Sequence, residues 1–543
     1  MFRILKRVWP WLAAVATGLL GVACFAPFDQ SWICWIALTP LIAAVWFSGE
    51  NCKRRWLRNL LLGYLAGIVF FTGTFSWLGA LGDLYQSLFL HGLSFLLSLY
   101  LGLHFAFWAW FIGLIRPTAV TASWRNLLIA FVAAAAWATH EWIRGWLFSG
   151  FGWNGLGVGL HQSWPLIQIS EFTGVVGLSF ALAFVNIIAI TTPLRLFAEA
   201  RTNRMRPHFD LTLTMIAMVA LFAFGIRRAK NPEPTEPLRV AAVQASVPQF
   251  QKFDPEFTRE IFERFTRLSE IALRANPPPD LLIWPESSMP DLVRDPSTAS
   301  HQFVRQLLGS TKSDLLLGSL DLEDGRDYNA ALLVSSGRDR IQAYRKIHLV
   351  PFGEYVPLRH SFPLFAAIAN TWVPGDFTPG TDYIVFDLTN NGVRVAPLIC
   401  FEDTVGDLAR RFVLNGATLL VDVTNDGWFL ESSGSRQHLA NAIFRCVENR
   451  RPMVRAANTG VTCFINQFGH VTQMLRDDTG NTFTEGVLSG EINVPRTTGL
   501  TFYTRHGEWF AEICAVITAI AVGVIFARRR FGRGRSPERP AGD

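Results

Sequence analysis

Eight runs of apolar residues constrain this chain more than any other feature. Seven lie at about 10–27, 31–47, 58–79, 88–115, 126–148, 174–198 and 209–226, and the eighth covers 508–526. Each is close to the ~20 residues a helix needs to cross bilayer hydrocarbon. In that medium a backbone satisfies its polar groups only by folding on itself, which makes each run a helix. The stretch between the seventh and eighth runs has ordinary soluble composition and opens on the proline-rich "KNPEPTEP" at 230–237. The expected organisation is a membrane unit of seven transmembrane helices at 1–229, a globular unit at 230–503, and an eighth transmembrane helix with a basic tail at 504–543.

Basic residues predict the orientation. Arg3, Lys6 and Arg7 precede the first run; Lys53, Arg54 and Arg55 follow the second; Arg116 and Arg125 follow the fourth; Arg201, Arg204 and Arg206 follow the sixth; "RRRFGRGR" follows the eighth. The alternate loops, 28–30, 80–87 and 149–173, contain no Lys or Arg. Positive charge favours the inside, so both termini are expected in the cytoplasm and the globular unit outside. The opening "MFRILKRVWPWLAAVATGLLGVAC" has the outline of a signal peptide, but a second run follows at once, and it reads as an uncleaved helix. The net charge of +6 sits in these flanking clusters and not on one soluble face, which argues against nucleic acid. The basic tail sets topology and meets anionic lipid. Seven cysteines in 543 residues make no disulfide framework. Cys446 and Cys463 read as buried thiols, with a bond between them left open for an oxidising compartment.

Within 230–503, short β-rich runs alternate with helical stretches, the pattern of a layered α/β fold. "LRVAAVQ" (238–244) is the first strand. Asp254 and Pro255 supply an N-cap and a first-turn proline for a helix continued by "FTREIFERFTRLSEIALRA". "DLLIWPES" (280–287) is a strand broken at Pro285, and "DLLLGSL", "AALLVSS", "RIQAYRK", "RVAPLIC", "TLLVDVTND" and "GVLSGEINV" supply further strands.

Three of these strands run directly into a chemically capable residue: Glu286 after "LLIWP", Lys346 after "RIQAYR" and Cys400 after "VAPLI". A side chain at a strand end is held by the sheet while it faces a cleft. A free thiol, with a pKa of about 8.5, needs a proton acceptor or a nearby cation to react as thiolate. Glu286 can supply the first and Lys346 the second, and Lys346 can also steady the oxyanion of an attacked carbonyl. Taken singly the three residues read differently, as a small buried hydrophobe, a helix-start carboxylate and a surface charge. No metal-ligand spacing, phosphate loop or dinucleotide fingerprint occurs, so neither metal nor cofactor is expected.

"WPES" around Glu286, "YRKIHLVPFGEYVP" around Lys346, "LICFED" around Cys400 and "VTNDGWF" at 423–429 together resemble the nitrilase (carbon-nitrogen hydrolase) superfamily. The resemblance implies an αββα sandwich and a Glu286-Lys346-Cys400 triad. Seven runs before this unit and one after are similar to the apolipoprotein N-acyltransferase family within it. The stretches that carry this are "EWIRGWLFSGFGWNGLG" (141–157), "VQASVPQFQKFDP" (243–255), "LVPFGEYVPLR" (349–359) and "RQHLANAIFRCVENRRPMVRAANTGVT" (436–462). The family pattern implies a bacterial inner-membrane enzyme with its catalytic unit in the periplasm. Its thiol would take a fatty acyl chain from a phospholipid and pass it to the N-terminal diacylglyceryl cysteine of a lipoprotein. Glu354 and Glu402 match carboxylates that orient the Lys and the Cys.

Two positions depart from that pattern: Phe253 stands where Trp is usual, and Phe401 where Tyr is usual, so hydrogen bonds expected there are lost. Phe253, Asn425 and Trp428 are expected to meet substrate. Glu141 and Arg144, three apart near the outer end of the fifth run, are expected to pair with each other and to face a headgroup cavity. The apolar insertion "HSFPLFAAIANTWVPG" (360–375) reads as a lid or a lipid-contacting arm. Two rival readings remain at this level, a membrane-tethered amidase acting on a small outward-facing substrate and a transporter or scaffold without chemistry.

Overall fold

The computed structural model describes residues 2–532 except 51, 118–121, 203–205, 231, 310, 337–339, 358, 360–374, 390 and 497–498. Almost all of the apolar insertion at 360–375 therefore lies outside the described residues.

The first 230 residues are helical: α1 (Phe2–Ala23), α2 (Thr39–Phe47), α3 (Arg55–Thr74), α4 (Leu93–Leu114), α5 (Ser123–Arg144), α6 (Val175–Thr202) and α7 (Phe209–Lys230). The second apolar run is not one helix. It forms a 3-10 turn, Ser31–Trp35, and then the nine-residue α2, which starts with Pro40 in its first turn. Asn186 of α6 makes the break tolerable, because its side chain accepts from Leu38 N at 2.9 Å and donates to Cys34 O at 3.0 Å. Backbone groups freed inside an apolar surround need such partners. The fourth run is also divided, at Gly92, between Leu88–His91 and α4.

The middle of the chain builds twelve strands: β1 (Thr235–Gln244), β2 (Leu281–Trp284), β3 (Asp314–Glu323), β4 (Arg326–Val334), β5 (Ile341–Arg345), β6 (Phe386–Asp387), β7 (Arg394–Ile399), β8 (Leu419–Thr424), β9 (Met453–Ala457), β10 (Cys463–Ile465), β11 (Val471–Met474) and β12 (Gly486–Pro495). They form two six-stranded mixed sheets, ordered β12-β1-β2-β3-β4-β5 and β11-β10-β9-β8-β7-β6. In each sheet the central pairs are parallel and the flanking pairs antiparallel. β1 starts earlier than the sequence suggests, inside the proline-rich stretch. Pro237 fits because β2 pairs only with Val240–Ala242, leaving 235–239 paired with β12 alone.

Alternation along the strands sorts side chains into layers. Leu238, Val240, Ala242, Leu281, Ile283, Leu316, Ala331 and Leu333 face the second sheet and pack with Val395, Val421 and Val454. Their neighbours Ala241, Val243, Leu282, Trp284, Leu315 and Leu317 face outward against α8 (Thr258–Leu273) and α9 (Ala299–Leu308) through Ile261, Phe265, Leu268, Val304 and Leu308. The second sheet is covered by α10 (Gly406–Leu414) and α11 (Gly434–Asn449). The layers run helix, sheet, sheet, helix. The chain ends in α12 (Trp509–Gly532).

Among the described residues, six helices are long and apolar enough to cross a membrane: α3 to α7 and α12. The expected eight single spans are thus not all present as long helices. The globular unit is bolted to the membrane helices by α11. Its Gln437 accepts from Trp77 Nε1 at 3.0 Å and Asn154 Nδ2 at 2.8 Å, and donates to Ala26 O at 2.8 Å and Thr74 O at 3.0 Å. Just after α11, Arg450 pairs with Glu171 at 2.7 Å.

Candidate active site

Glu286, Lys346 and Cys400 come to one place because β2, β5 and β7 end at it. Cys400 leaves β7 at φ +53° and Ser287, after Glu286, lies at φ +48°. Left-handed backbone at a non-glycine residue costs on the order of 1–3 kcal/mol and persists where the surroundings hold it. Gly318 of β3 lets the 285–287 turn lie flat on the sheet, since a Cβ there would collide with Glu286 Cα. Gly318 N donates to Pro285 O at 3.1 Å and Ser288 N to Gly318 O at 3.0 Å.

All three side chains are buried. Glu286 Oε1 accepts from Asn329 Nδ2 at 2.8 Å, while Oε2 has no hydrogen-bond partner among the described residues. Lys346 Nζ lies 2.9 and 2.8 Å from the two oxygens of Glu354, whose Oε1 also accepts from Asn329 Nδ2 and whose Oε2 accepts from Val350 N at 2.7 Å. Glu402 is fully buried and accepts from Tyr344 Oη at 2.7 Å, Ile347 N at 2.8 Å, His348 N at 3.0 Å and Ile399 N at 3.0 Å. One carboxylate therefore fixes the chain after Lys346 to the strand end before Cys400.

The electrostatics follow from burial and charge balance. Burial pushes the Cys400 thiol well up; Glu286 adds to this, while Lys346 and the Thr424 hydroxyl oppose it. Burial also raises Glu286, with Glu354 adding and Lys346, Asn329 and Lys252 opposing. For Lys346 burial favours the neutral amine, but Glu354, Glu286 and Cys400 outweigh it and hold the ammonium. Burial lifts Glu402 to about 7 against Lys346 and its hydrogen bonds. A thiol kept protonated beside a carboxylate with a free oxygen and a locked cation suits proton transfer at the moment of attack.

The Phe401 ring stacks on His348 at 5.6 Å and on Phe151 and Trp153 of the membrane unit at 6.0 and 5.9 Å. The site thus abuts the helical unit directly. The chain's alignment with known proteins covers both units. A model described as apolipoprotein N-acyltransferase N-terminal domain matches residues 17–188, and a carbon-nitrogen hydrolase model matches 239–501. The apolipoprotein N-acyltransferase of Geobacter metallireducens is 36% identical over 96% of each chain. The chain belongs to the apolipoprotein N-acyltransferase family. Family members from Nitrosomonas europaea, 32% identical over 96% of this chain and 98% of its own, and Photobacterium profundum, 28% identical over 96% of each, align over the same extent.

Other expected site residues scatter. Phe253 is exposed on the loop before α8. Asn425 is buried and commits its side chain to Gln249, Gly427 N and Asn458. Trp428 lies beyond it, stacked on Tyr85 of a membrane-unit loop at 6.5 Å. Glu141 and Arg144 do not form the expected ion pair. Glu141 Oε1 accepts from Trp137 Nε1 and Leu156 N, both at 2.8 Å, while Arg144 donates to Phe151 O at 3.0 Å and Trp153 O at 2.8 Å. Unpaired carbonyls and an amide in the 151–156 loop offered each charge a closer partner than the other. Together they hold the loop that carries Phe151 and Trp153 against Phe401. Cys446 and Cys463 are both free and buried.

The residue-by-residue reading missed Asn329, Lys252 and a charged cluster behind Cys400. There His438 lies 2.8 Å from Asp403 and 2.9 Å from Asp426, and Arg455 lies 3.6, 3.3 and 3.1 Å from Asp403, Asp422 and Asp426, all fully buried. A signal existed: Asp422 interrupts an apolar strand, and Asn329 stands directly before the apolar run 330–334 of its own.

Proposed function

We propose that this enzyme transfers a fatty acyl chain from a phospholipid to the α-amino group of a diacylglyceryl cysteine at a lipoprotein N-terminus, in a two-step reaction on Cys400. One observation carries the reading: the buried thiol, the Glu286 oxygen without a partner and the Lys346 ammonium share one site against the membrane helices. In the first step Glu286 takes the thiol proton as sulfur attacks the ester carbonyl, and Lys346 steadies the oxyanion. The ester C–O bond then breaks, the leaving alkoxide takes the proton from Glu286, and a thioester remains. In the second step the acceptor amine attacks the thioester, Glu286 takes its proton, the C–S bond breaks, and the thiolate recovers that proton. Two half-reactions through one acyl-enzyme make the scheme ping-pong. Glu354 and Glu402 hold the Lys and Cys segments.

The arrangement in the membrane completes the reading. The basic clusters favour cytoplasmic termini and a periplasmic site in the bacterial inner membrane. α1 and the broken second run, added to the six long helices, bring the crossings to eight. The test is mass spectrometry of the purified enzyme after incubation with phosphatidylethanolamine. An acyl mass on the Cys400 peptide, released by a diacylglyceryl peptide as amide and absent from Cys400→Ser, is the expected result. An adduct that water alone discharges would favour the amidase, and no adduct at all would overturn the scheme.

A further inference from the structure

Lys252 has a place no part of that scheme uses. It sits in the loop between β1 and α8, where Phe250 and Phe253 are exposed, yet its own side chain is buried and only 2% accessible. Its Nζ donates to the Glu286 carbonyl oxygen at 2.8 Å. It also faces the Glu286 carboxylate and Cys400 electrostatically. Burying an ammonium costs several kcal/mol unless charge and hydrogen bonds compensate, so its position calls for an account.

The geometry of the other lysine supplies one. Lys346 is committed to both oxygens of Glu354, and Glu286 has no ion-pair partner within 4 Å among the described residues. The charged and titratable groups that meet here are Glu286 after β2, Lys346 after β5, Glu354 in the following loop, and Cys400 after β7, with Asp422 of β8 behind the sulfur. Two carboxylates and a developing thiolate face one committed cation. We propose that Lys252 is a positioning residue for the acyl transfer proposed above, holding the Glu286 backbone through its carbonyl and supplying the second positive charge that keeps Glu286 ionised and offsets the charge built up at Cys400. Because Lys252 belongs to the loop bearing Phe250 and Phe253, the same contact ties that apolar rim to the base.

Burial lowers Lys252 to about 8, with Glu286 and Cys400 pulling back. Its charge is therefore largely present at neutral pH and lost as pH rises through about 8, which gives the role a signature that packing alone lacks.

The experiment measures the rate of Cys400 thioester formation from phosphatidylethanolamine between pH 6 and 10, with full-length enzyme in detergent. Wild type, Lys252→Arg, Lys252→Met and Glu286→Gln are compared. Wild type is expected to lose rate above about pH 8. Lys252→Arg keeps its charge, so it should lack that basic limb and stay within about threefold of wild type at pH 7. Lys252→Met should fall by about 10- to 100-fold at pH 7, and its acidic limb should move up by about one pH unit as Glu286 loses a stabilising cation. Should Lys252→Met fail to fold, the Arg variant decides alone. A Met variant with the wild-type profile, or an Arg variant that retains the basic limb, overturns the assignment. No thioester in wild type would instead remove the acyl-transfer reading on which it rests, and Glu286→Gln separates the two by abolishing acylation at every pH.

Discussion

The two outer helix layers of the sandwich differ in what they face. α8 buries Ile261, Phe265, Leu268, Ser269 and Ala272 along one stripe and leaves Arg259 and Glu263 in water, as an ordinary amphipathic helix does. α11 is buried at every position except Arg436, although it carries Gln437, His438, Asn441, Arg445, Glu448 and Asn449. A helix can be both polar and enclosed only if each buried group finds a partner. Here the partners come from two sides: Asp403 and Asp426 from the sheet, and Ala26, Thr74, Trp77, Asn154 and Val175 from the membrane unit. Two sheets with the same pattern of parallel and antiparallel pairs are therefore used differently. One carries a helix layer that meets solvent; the other carries a helix layer enclosed between the sheet and the membrane helices.

This contrast can be broken at several points. Arg455→Met removes the cation shared by Asp403, Asp422 and Asp426. It should cost about 3–5 kcal/mol, the penalty for orphaning buried charge, and lower the thermal unfolding midpoint of the detergent-solubilised protein. Gln437→Leu keeps the volume but leaves up to four groups of the membrane unit unpaired. About 1–3 kcal/mol for an orphaned buried group is expected, together with slower acylation as the two units loosen, measured by the Cys400 thioester assay. A helix layer held only by apolar packing would show neither coupling.

A pH series probes the same clamp. Burial opposes the charge on His438 and Arg455 adds to that, but Asp403 and Asp426 prevail and raise its pKa to about 9. A folded pKa above the unfolded value of about 6.5 adds stability that is complete below pH 6.5 and lost as pH rises through 9. The melting midpoint should therefore fall across that window, and His438→Gln should flatten the fall. Replacing Glu263 on the water-facing side of α8 should leave the midpoint unchanged, because an exposed ion pair contributes little. A drop there as large as for Gln437→Leu would erase the distinction between the layers.

The candidate site was legible because its residues stand where strands end. Glu286 and Cys400 could each be placed from the apolar run before it and Lys346 from the strand "RIQAYR", and Asp254 caps its helix turn as its residue type predicts, accepting from Glu256 N at 3.0 Å. Glu141 and Arg144 were misread because their spacing described only their own helix, while their partners belong to a loop that folds back beside them. The break in the second apolar run was hidden for a similar reason: Asn186, about 150 positions away, supplies what the backbone there lacks.

From the amino-acid order alone come the apolar helices, the alternating strands and the three candidate site residues at their ends, since each depends on local periodicity and on where the strand pattern stops. Tertiary structure decided which carboxylate each cation meets, how Lys252 reaches Glu286, and which sheet docks on the membrane unit. Those choices depend on distances between residues remote in sequence, and a buried charge takes whatever partner the fold brings nearest.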